Sequence, residues 1–226
     1  MLVVLAARAS GLRSSGPSGA TPVGVLAVRG VLAVAMCAAL SACRNAPPEP
    51  TDYVARVAQS RAAKDANFKA TNDPIPENRK AEFLPLAYYA IDPEYNVPGV
   101  LRPATDNATM MMPTSTGQQR RMRRVGTLEF TLRGQPLKLT AFVEVGAPDI
   151  NRLFVPFSDK TSGPETYPAG RYMDLDRTAT GVYEVDFNYA YHPYCYFNPT
   201  YDCPFPPAEN RLNVPIHAGE KLKSRS

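Results

Sequence analysis

The sequence is poor in the residues that nucleophilic and metal chemistry need. Its 226 residues include two histidines, four cysteines and no tryptophan. Only His192 and His217 could act as the base of a hydrolase, and no G-x-S-x-G nucleophile elbow surrounds Ser162. No catalytic triad, metal-ligand set or phosphate-binding loop is recognisable. The sequence therefore predicts no cofactor and no metal site.

Long proline-free segments are also scarce, because 23 residues are proline. Each proline lacks the backbone N–H and breaks the interior of a helix, which excludes an all-helical bundle or a long coiled coil. The same missing donor argues against a large parallel sheet, whose central strands need it. From its length, the chain is expected to form one domain of ordinary size.

Net charge is small once the N-terminal segment is set aside. The whole chain has 25 Lys and Arg against 21 Asp and Glu, a formal charge of +4. Residues 1–42 contain Arg8, Arg13 and Arg29 and no acid, so 22 basic and 21 acidic residues remain beyond them. A balanced charge gives no support to nucleic acid as a partner.

An apolar segment near the N-terminus leads directly to a cysteine. Residues 30–42 are uncharged and follow Arg29; they are too few to span a bilayer as a stable helix but are typical of a signal peptide. The segment ends in Leu40-Ser41-Ala42-Cys43, which resembles the lipobox of bacterial lipoproteins. In that motif small residues admit the peptidase and the thiol takes the diacylglyceryl group. The alternative is a buried apolar helix with a chance cysteine.

We therefore expect a lipoprotein signal peptide over 1–42, lipidation at Cys43 and a proline-rich tether over 43–50. The partners predicted on this basis are a membrane, reached through the acylated (palmitate-type) anchor at Cys43, and an unknown envelope ligand or protein. Arg44 is not the acidic residue of an inner-membrane retention signal. The expected location is the cell envelope, on the periplasmic side of an outer membrane if the cell has one.

Cys195 and Cys203 form the remaining pair, since Cys37 lies in the leader and Cys43 carries lipid. In an extracytoplasmic chain this pair suggests a disulfide, which would contribute about 2–3 kcal/mol in the chain-entropy model. The alternative is a metal site that also uses His192. The cysteine spacing fits neither a C-x-x-C ribbon nor a zinc knuckle, and no fourth ligand is evident nearby.

Hydrophobic periodicity predicts one helix over 51–73, with Thr51 as its N-cap, followed by a β-rich domain over 74–226. The segment 104–118 is expected to be a mobile loop. Strands are predicted over 125–132, 137–145, 152–157, 171–175, 182–187 and 212–217. Short strands with frequent turns predict a mainly β (α+β) fold, an antiparallel sheet forming a roll, sandwich or small barrel.

Two polar segments have both a functional and a structural interpretation. The cluster Arg120-Arg121-Met122-Arg123-Arg124 could grip phosphate, carboxylate or lipid headgroups, or it could be a solvated edge strand protected by charge. The hydroxyl-rich segment 159–167 suggests either a hydrolase or, more simply, a turn that caps a strand.

The densest group of polar and aromatic residues lies between 186 and 210, around the two cysteines. These side chains could form a binding surface, or they could satisfy the backbone of an irregular loop. Together with the segment after Gly170, they supply the candidate ligand-binding residues Arg171, Tyr172, Asp186, Asn188, Tyr191, Glu209 and Asn210.

The last third of the chain also carries a set of closely spaced motifs. They are Asp159, Thr161-Ser162-Gly163, Glu165-Thr166-Tyr167, Gly170-Arg171-Tyr172, Asp186-Phe187-Asn188, Ala190-Tyr191, Pro193, Cys195, Cys203-Pro204, Pro206-Pro207, Glu209-Asn210, Leu212 and Ala218-Gly219-Glu220, with Asp92-Pro93-Glu94-Tyr95 upstream. This pattern resembles domain-of-unknown-function family 1684, uncharacterised bacterial envelope proteins. The resemblance implies a secreted or lipid-anchored protein and brings no activity with it.

The chain departs from that family pattern at two places. His192 stands where an asparagine is usual, and Pro168-Ala169 stands where glycines are usual. The first departure weakens any mechanism that needs His192 as a base or a metal ligand.

Two functions remain open on the sequence. The first is a non-catalytic binding or structural module of the envelope. The second is an envelope hydrolase or transferase in which Asp186 and Glu209 act as acid and base and Arg171 stabilises an anion.

Overall fold

The computed structural model of the protein describes residues 50–106, 108–146 and 151–223. All of them belong to a compact unit, Pro48–Ser226. The predicted signal peptide, Cys43 and all of the tether except Pro50 lie outside the described residues. Within the described ranges, no helix is long and apolar enough to cross a bilayer.

Three α-helices, four short 3-10 helices and seven strands make up the regular structure of the described residues. The helices are α1 (Pro50–Ala70), α2 (Lys80–Phe83) and α3 (Tyr194–Phe197). The strands are β1 (Asn96–Pro103), β2 (Thr109–Pro113), β3 (Gln119–Leu132), β4 (Gln135–Glu144), β5 (Arg152–Phe157), β6 (Arg171–Asp176) and β7 (Val182–Asp186).

The strands form one antiparallel sheet in the order β6-β5-β4-β3-β1-β7, with β2 paired to the first half of β3. The two end strands, β6 and β7, contact each other, so the sheet is nearly closed and barrel-shaped. The mainly β, antiparallel fold predicted from the sequence is confirmed.

The main hydrophobic core fills the inside of this sheet. Strand side chains alternate between the two faces, so every second residue of β5 and β6 points inward. The inward residues include Leu153, Val155, Phe157, Met173 and Leu175, which pack with Leu128, Phe130, Leu139, Val185 and Phe187 from other strands and their ends.

Helix α1 lies against this body through a few large side chains rather than a continuous apolar stripe. Tyr53, Val57 and Phe68 are buried, whereas most of the helix is exposed. Phe68 joins a second cluster with Ile75, Phe83 and Phe197. Near the middle of the helix, Arg61 donates to the carbonyl oxygens of Tyr89 and Asn188 at 2.8 and 3.2 Å.

Two strands were not predicted. Residues 109–113 form β2 within the segment expected to be a mobile loop, because Met110 and Met112 pack beside Met122 and Phe142. Residues 96–103 form β1 in a segment whose prolines argue against a central strand.

The position of Pro98 explains how β1 tolerates proline. The amide N–H of Leu101 donates to the carbonyl oxygen of Gly181, the residue just before β7. Amides along a strand point alternately to its two neighbours, so the odd-numbered amides of β1 face β7 and the even-numbered ones face β3. Pairing with β3 begins only at Gly99. The nitrogen of Pro98 therefore faces the β3 side just beyond the end of that ladder. The absence of its N–H costs no hydrogen bond between the two strands.

The last predicted strand, 212–217, is wrong. Leu212 and Ile216 are buried in the core. The backbone makes single bonds to the segment after β5, from the Leu212 amide to the Ser158 carbonyl at 2.8 Å and from the Lys160 amide to the Val214 carbonyl at 3.2 Å, but no strand forms. The amide of Ile216 donates to Asp159 at 3.2 Å and its carbonyl accepts from Arg171 at 2.8 Å. The backbone of Ile216 is therefore satisfied by side chains and not by a neighbouring strand.

Replacing Gly219 by alanine should destabilise the fold strongly. Gly219 has a φ of +78°, and an added Cβ would lie 2.5 Å from the Ala190 carbonyl oxygen and 2.7 Å from that of Phe187. Gly117 is the matched control, since its φ is +80° but nothing lies within 4 Å of an added Cβ. In urea denaturation we expect Gly117→Ala to cost about 1 kcal/mol and Gly219→Ala about 2 kcal/mol more. Equal losses would contradict this account.

Candidate ligand-binding cleft

Arg171, the central candidate of the sequence analysis, is a structural residue. It is completely buried and forms an ion pair with Asp159 at 2.9 Å. Its guanidinium group also donates to the carbonyl oxygens of Ile216, Ala218 and Glu220. These contacts hold β6 to the C-terminal segment and leave the side chain no access to a ligand.

Asp186 and Asn188 form a second, separate network at the end of β7. Asp186 accepts from the Tyr53 hydroxyl at 2.8 Å and from the Asn188 amide at 2.9 Å. The Asn188 side chain donates to the carbonyl of Asp92 at 2.8 Å and accepts from the Asp92 amide at 3.1 Å. Burial raises the pKa of Asp186, an effect that these donors partly offset. The network joins α1 to the sheet.

Asn210 and Glu209 are neighbours with different surroundings. The buried Asn210 side chain accepts from the Thr140 amide at 2.7 Å and donates to the carbonyls of Thr140 and Pro156 at 2.9 and 2.7 Å. It thereby links β4 to β5. Glu209 is exposed and pairs with Arg124 at 2.8 Å.

Arg171, Asp186 and Glu209 therefore do not meet. Each has its own set of partners, and no partner is shared among the three. The structure gives no geometric support to the hypothesis that Asp186 and Glu209 act as an acid–base pair with Arg171.

An open cleft of about 760 Å³ lies on the outer face of the sheet. Its floor comes from alternate residues of β5 and β6, and its walls come from α1 and the loop that carries the two cysteines. Tyr172 and Tyr191 are the two sequence candidates that line it. The other lining residues are Lys64, Arg120, Met122, Val143, Glu144, Arg152, Phe154, Asp174, Tyr194, Tyr201, Asp202, Cys203 and Pro204.

Strand alternation explains why adjacent residues have different roles. Arg171, Met173 and Leu175 point into the barrel-shaped core, so Tyr172 and Asp174 point to the opposite face. On the neighbouring strand Phe154 faces the same way. The rings of Phe154 and Tyr172 meet edge to face, with centroids 4.7 Å apart.

Five aromatic side chains line the cleft, which makes it more apolar than an ordinary surface groove. Tyr172 contacts Tyr191 with ring centroids 5.8 Å apart, and Tyr194 contacts Tyr201 at 5.4 Å. The Tyr172 hydroxyl donates to the carbonyl of Pro204 at 2.6 Å. Within the described ranges the hydroxyls of Tyr194 and Tyr201 form no hydrogen bond, so both are free to meet a ligand.

Every cation of the cleft already has a carboxylate partner. Lys64 pairs with the buried Glu220 at 2.5 Å, and its ammonium group lies 4.9 Å from the ring centroid of Tyr191. Arg120 pairs with Asp202 at 3.2 Å and Glu144 at 3.6 Å. Arg152 lies 3.8 Å from Asp176 at the rim. The three cations are matched by three lining acids, Glu144, Asp174 and Asp202.

Asp174 is the acid without a cation within salt-bridge distance. Its Oδ2 atom accepts from the Tyr191 hydroxyl at 2.8 Å. The surrounding protein atoms raise the pKa of its carboxyl group by desolvation, against the opposing effect of Tyr191. A carboxyl group of this kind, with one oxygen still unpaired, can accept or share hydrogen bonds with a bound molecule.

The predicted disulfide is absent from the structure, in which Cys195 and Cys203 are buried free cysteines. They are nevertheless neighbours, because the amide of Cys195 donates to the Cys203 sulfur at 3.2 Å. Hydrogen bonding from the Cys203 thiol lowers the pKa of Cys195, assisted by the hydroxyls of Ser115 and Tyr167 and opposed by burial. The two thiols are therefore adjacent, and Cys203 lines the cleft.

His192 is close to the cleft loop but has a structural environment. It is buried, and its Nε2 atom accepts from the Tyr167 amide at 3.2 Å. Burial, followed by the charges of Arg171 and Lys64, lowers the pKa of His192 well below 6.5. Among the described residues, no group of three or more His, Cys, Asp or Glu side chains could hold a metal ion.

The two polar segments that had both a functional and a structural interpretation, 120–124 and 159–167, also have structural partners. Arg120 belongs to the cleft and Arg124 pairs with Glu209, both at the start of β3. Asp159 accepts from the amide and the hydroxyl of Thr161 at 2.8 and 2.7 Å, which forms a turn after β5. Ser162 only caps this turn, accepting from the Asp159 amide at 3.1 Å.

Several cleft residues were missed by the sequence analysis. Tyr194 and Tyr201 flank the cysteines, and their aromatic density was the one available signal. Asp174 was not among the candidate ligand-binding residues, although it follows Tyr172 by two positions, which places it on the same face of a strand. Nothing in the sequence marks Lys64, an ordinary polar residue of a weakly amphipathic helix.

These features define the class of the protein: a mainly β, nearly closed antiparallel sheet with an aromatic-lined cleft on its outer face. The chain belongs to the family described as protein of unknown function (DUF1684), whose model matches residues 81–221. The resemblance stated from the sequence is thus confirmed.

One solved structure is also similar to this chain. The chain is similar to the solution NMR structure of an uncharacterised protein from Haloarcula marismortui, with 35% sequence identity and a TM-score of 0.60. The match covers 76% of this chain and 95% of that chain. No curated protein matches the chain.

Asn210→Ala should destabilise the fold although it removes only a side-chain amide. The change leaves buried backbone groups of Thr140 and Pro156 without partners, which we expect to cost about 3 kcal/mol. Glu209→Ala is the adjacent control and should cost less than about 1 kcal/mol, because its ion pair is exposed. Chemical denaturation of both variants measures the difference. Similar losses would contradict the linking role of Asn210.

The lowered pKa of the buried His192 should make the stability of the fold depend on pH. In the unfolded chain this side chain titrates near 6.5, whereas in the fold it stays neutral to lower pH. As the pH falls below 6.5 the unfolded chain binds a proton that the folded chain does not, so the free energy of unfolding decreases. The slope due to this group is at most about 1.4 kcal/mol per pH unit.

His192→Asn, which introduces the residue usual in the family, should flatten this slope between pH 7 and pH 5. Asparagine can still accept from the Tyr167 amide. His217→Asn is the control for the substitution itself, since His217 is exposed and lies outside this buried environment. Urea titrations across this pH range test the pair, and an unchanged slope in His192→Asn would show that the account is wrong.

Proposed function

We propose that this protein is a non-catalytic, ligand-binding component of the bacterial cell envelope, held at a membrane through lipid on Cys43. The observation that carries the binding role is the cleft of about 760 Å³. Small-molecule sites are typically concave, mostly apolar and furnished with a few convergent polar groups. The cleft has these properties, with aromatic rings around Asp174 and the free hydroxyls of Tyr194 and Tyr201.

The proposed anchor rests on the sequence of the N-terminal segment. The apolar residues 30–42 and the motif Leu40-Ser41-Ala42-Cys43 have the order required for processing and lipidation. The compact unit that contains the cleft begins at Pro48, so every residue of the cleft follows Cys43 in the chain. Removal of residues 1–42 would therefore leave the binding site complete.

An envelope location would also change the state of the two cysteines. In an oxidising compartment, a disulfide of an oxidoreductase can exchange with the Cys195 and Cys203 thiols. The protein pair would lose two protons and two electrons and form one S–S bond, while the oxidant disulfide would be reduced to two thiols. The bond would fix the loop that carries Tyr194, Tyr201 and Asp202 at the cleft wall.

Saturation-transfer NMR on the full chain tests the binding role. The probes are four mixtures, of neutral sugars, amino acids, phosphate esters and quaternary amines. We expect at least one class to bind, and Tyr201→Ala to weaken that binding because it removes a wall of the cleft. Tyr189→Ala is the matched control, an exposed tyrosine that does not line the cleft. No binding by any class, or equal binding by both variants, would contradict the proposal.

Mass spectrometry of the protein isolated from a bacterial envelope tests the anchor and the thiols together. We expect a mature N-terminus at Cys43 with a diacylglyceryl group, and a peptide pair lighter by two hydrogen atoms at Cys195 and Cys203. Cys43→Ala should retain the leader and lack the diacylglyceryl group. An unmodified Cys43 behind an intact leader would overturn the proposed location.

A further inference from the structure

We infer that the cleft binds a neutral sugar, as part of a short oligosaccharide, with its ring against the tyrosine side chains and its hydroxyls on Asp174 and Tyr194. This inference rests on the proposed binding function and specifies its ligand class. It follows from three properties of the lining residues: the pairing of their cations, the position of Lys64, and the arrangement of aromatic rings around free hydrogen-bonding groups.

An anionic ligand fits the cleft poorly. A phosphate or carboxylate is usually held by cations that are available to it. Here Lys64 pairs with Glu220, and Arg120 pairs with both Asp202 and Glu144. An incoming anion would have to displace these carboxylates, and it would also approach Asp174 and Glu144. The electrostatic gain would be offset by the broken pairs and by repulsion.

A cationic ligand fits no better, although aromatic rings can bind quaternary amines. The ammonium group of Lys64 already lies 4.9 Å from the Tyr191 centroid, where a ligand cation would be expected. Arg120 and Arg152 also line the cleft. A second cation beside Tyr191 would be repelled by Lys64. A neutral molecule avoids both costs, in agreement with the equal numbers of cationic and acidic lining residues.

The remaining surface suits a molecule with apolar faces and a polar edge. Tyrosine presents an apolar ring and a hydroxyl that can donate or accept. Tyr194 is 40% exposed, its hydroxyl is unpaired within the described ranges, and its ring lies next to that of Tyr201. A sugar ring has C–H faces that can pack on such rings, and hydroxyls around its edge that need partners.

Asp174 supplies the acceptor that such hydroxyls need. Its Oδ2 atom is taken by Tyr191, which fixes the orientation of the carboxyl group. The other oxygen has no hydrogen-bond partner among the described residues, and Asp174 is a lining residue of the cleft. A carboxylate oxygen can accept from two hydroxyls at once. The cleft volume, about 760 Å³, is within the range of small-ligand sites and leaves room for more than one sugar ring.

The test is a titration of the full chain with maltotriose and with N,N′,N″-triacetylchitotriose, followed by two-dimensional NMR. We expect saturable shifts in the signals of cleft residues for at least one trisaccharide, with a Kd of about 1 mM or tighter. Tyr194→Ala and Asp174→Asn should each weaken binding about tenfold. Tyr194→Phe keeps the ring and should retain part of the affinity. Tyr189→Ala should bind like the wild type.

Choline chloride and sodium phosphate are the charged comparison ligands. If either of them binds in the cleft while neither trisaccharide does, the sugar inference is wrong and the binding function stands. If no ligand of any class binds, both proposals are wrong. Sugar binding that Tyr194→Ala and Asp174→Asn leave unchanged, with both variants folded by circular dichroism, would also overturn the assignment to this cleft.

Discussion

The inward-facing guanidinium group of Arg171 is the interaction on which the architecture of the site depends. It has no solvent exposure, pairs with Asp159 and donates to three carbonyl groups of the C-terminal segment. A charge buried in this way is costly to leave unpaired, by roughly 3–5 kcal/mol when one partner is removed. These bonds connect β6 to Ile216, Ala218 and Glu220, in a C-terminal segment that forms no strand of its own.

The fixed orientation of Arg171 also determines the outer face of the sheet. Because strand residues alternate, an inward Arg171 requires an outward Tyr172, and an inward Met173 requires an outward Asp174. A shift of one residue would bury Asp174 and expose the arginine. The cleft is therefore a consequence of the same register that forms the core. Its walls are added by Lys64 from α1 and by the loop around the cysteines.

The sequence candidates comprise four structural residues, two cleft residues and one exposed residue. Arg171, Asp186, Asn188 and Asn210 each satisfy backbone groups or join elements, as expected when polar side chains are buried. Tyr172 and Tyr191 line the cleft, and Glu209 remains in an exposed ion pair. Motifs that resemble the family therefore include many residues that hold an irregular C-terminal region together.

The sequence by itself determined the antiparallel, mainly β architecture, since the period-two runs at 125–132, 137–145, 152–157, 171–175 and 182–187 recur as strands. Local pattern is sufficient there because each run is rich in β-forming residues and is bounded by turn signals. The local pattern could not predict β2, whose pairing with β3 depends on contacts between methionines of the two strands. It also could not show that Ile216 lies outside any strand, because two side chains from elsewhere in the fold bind its backbone. The cleft was decided only by tertiary structure: Lys64, Phe154, Asp174 and Tyr201 are distant in the chain, and chain folding alone brings their side chains to one surface.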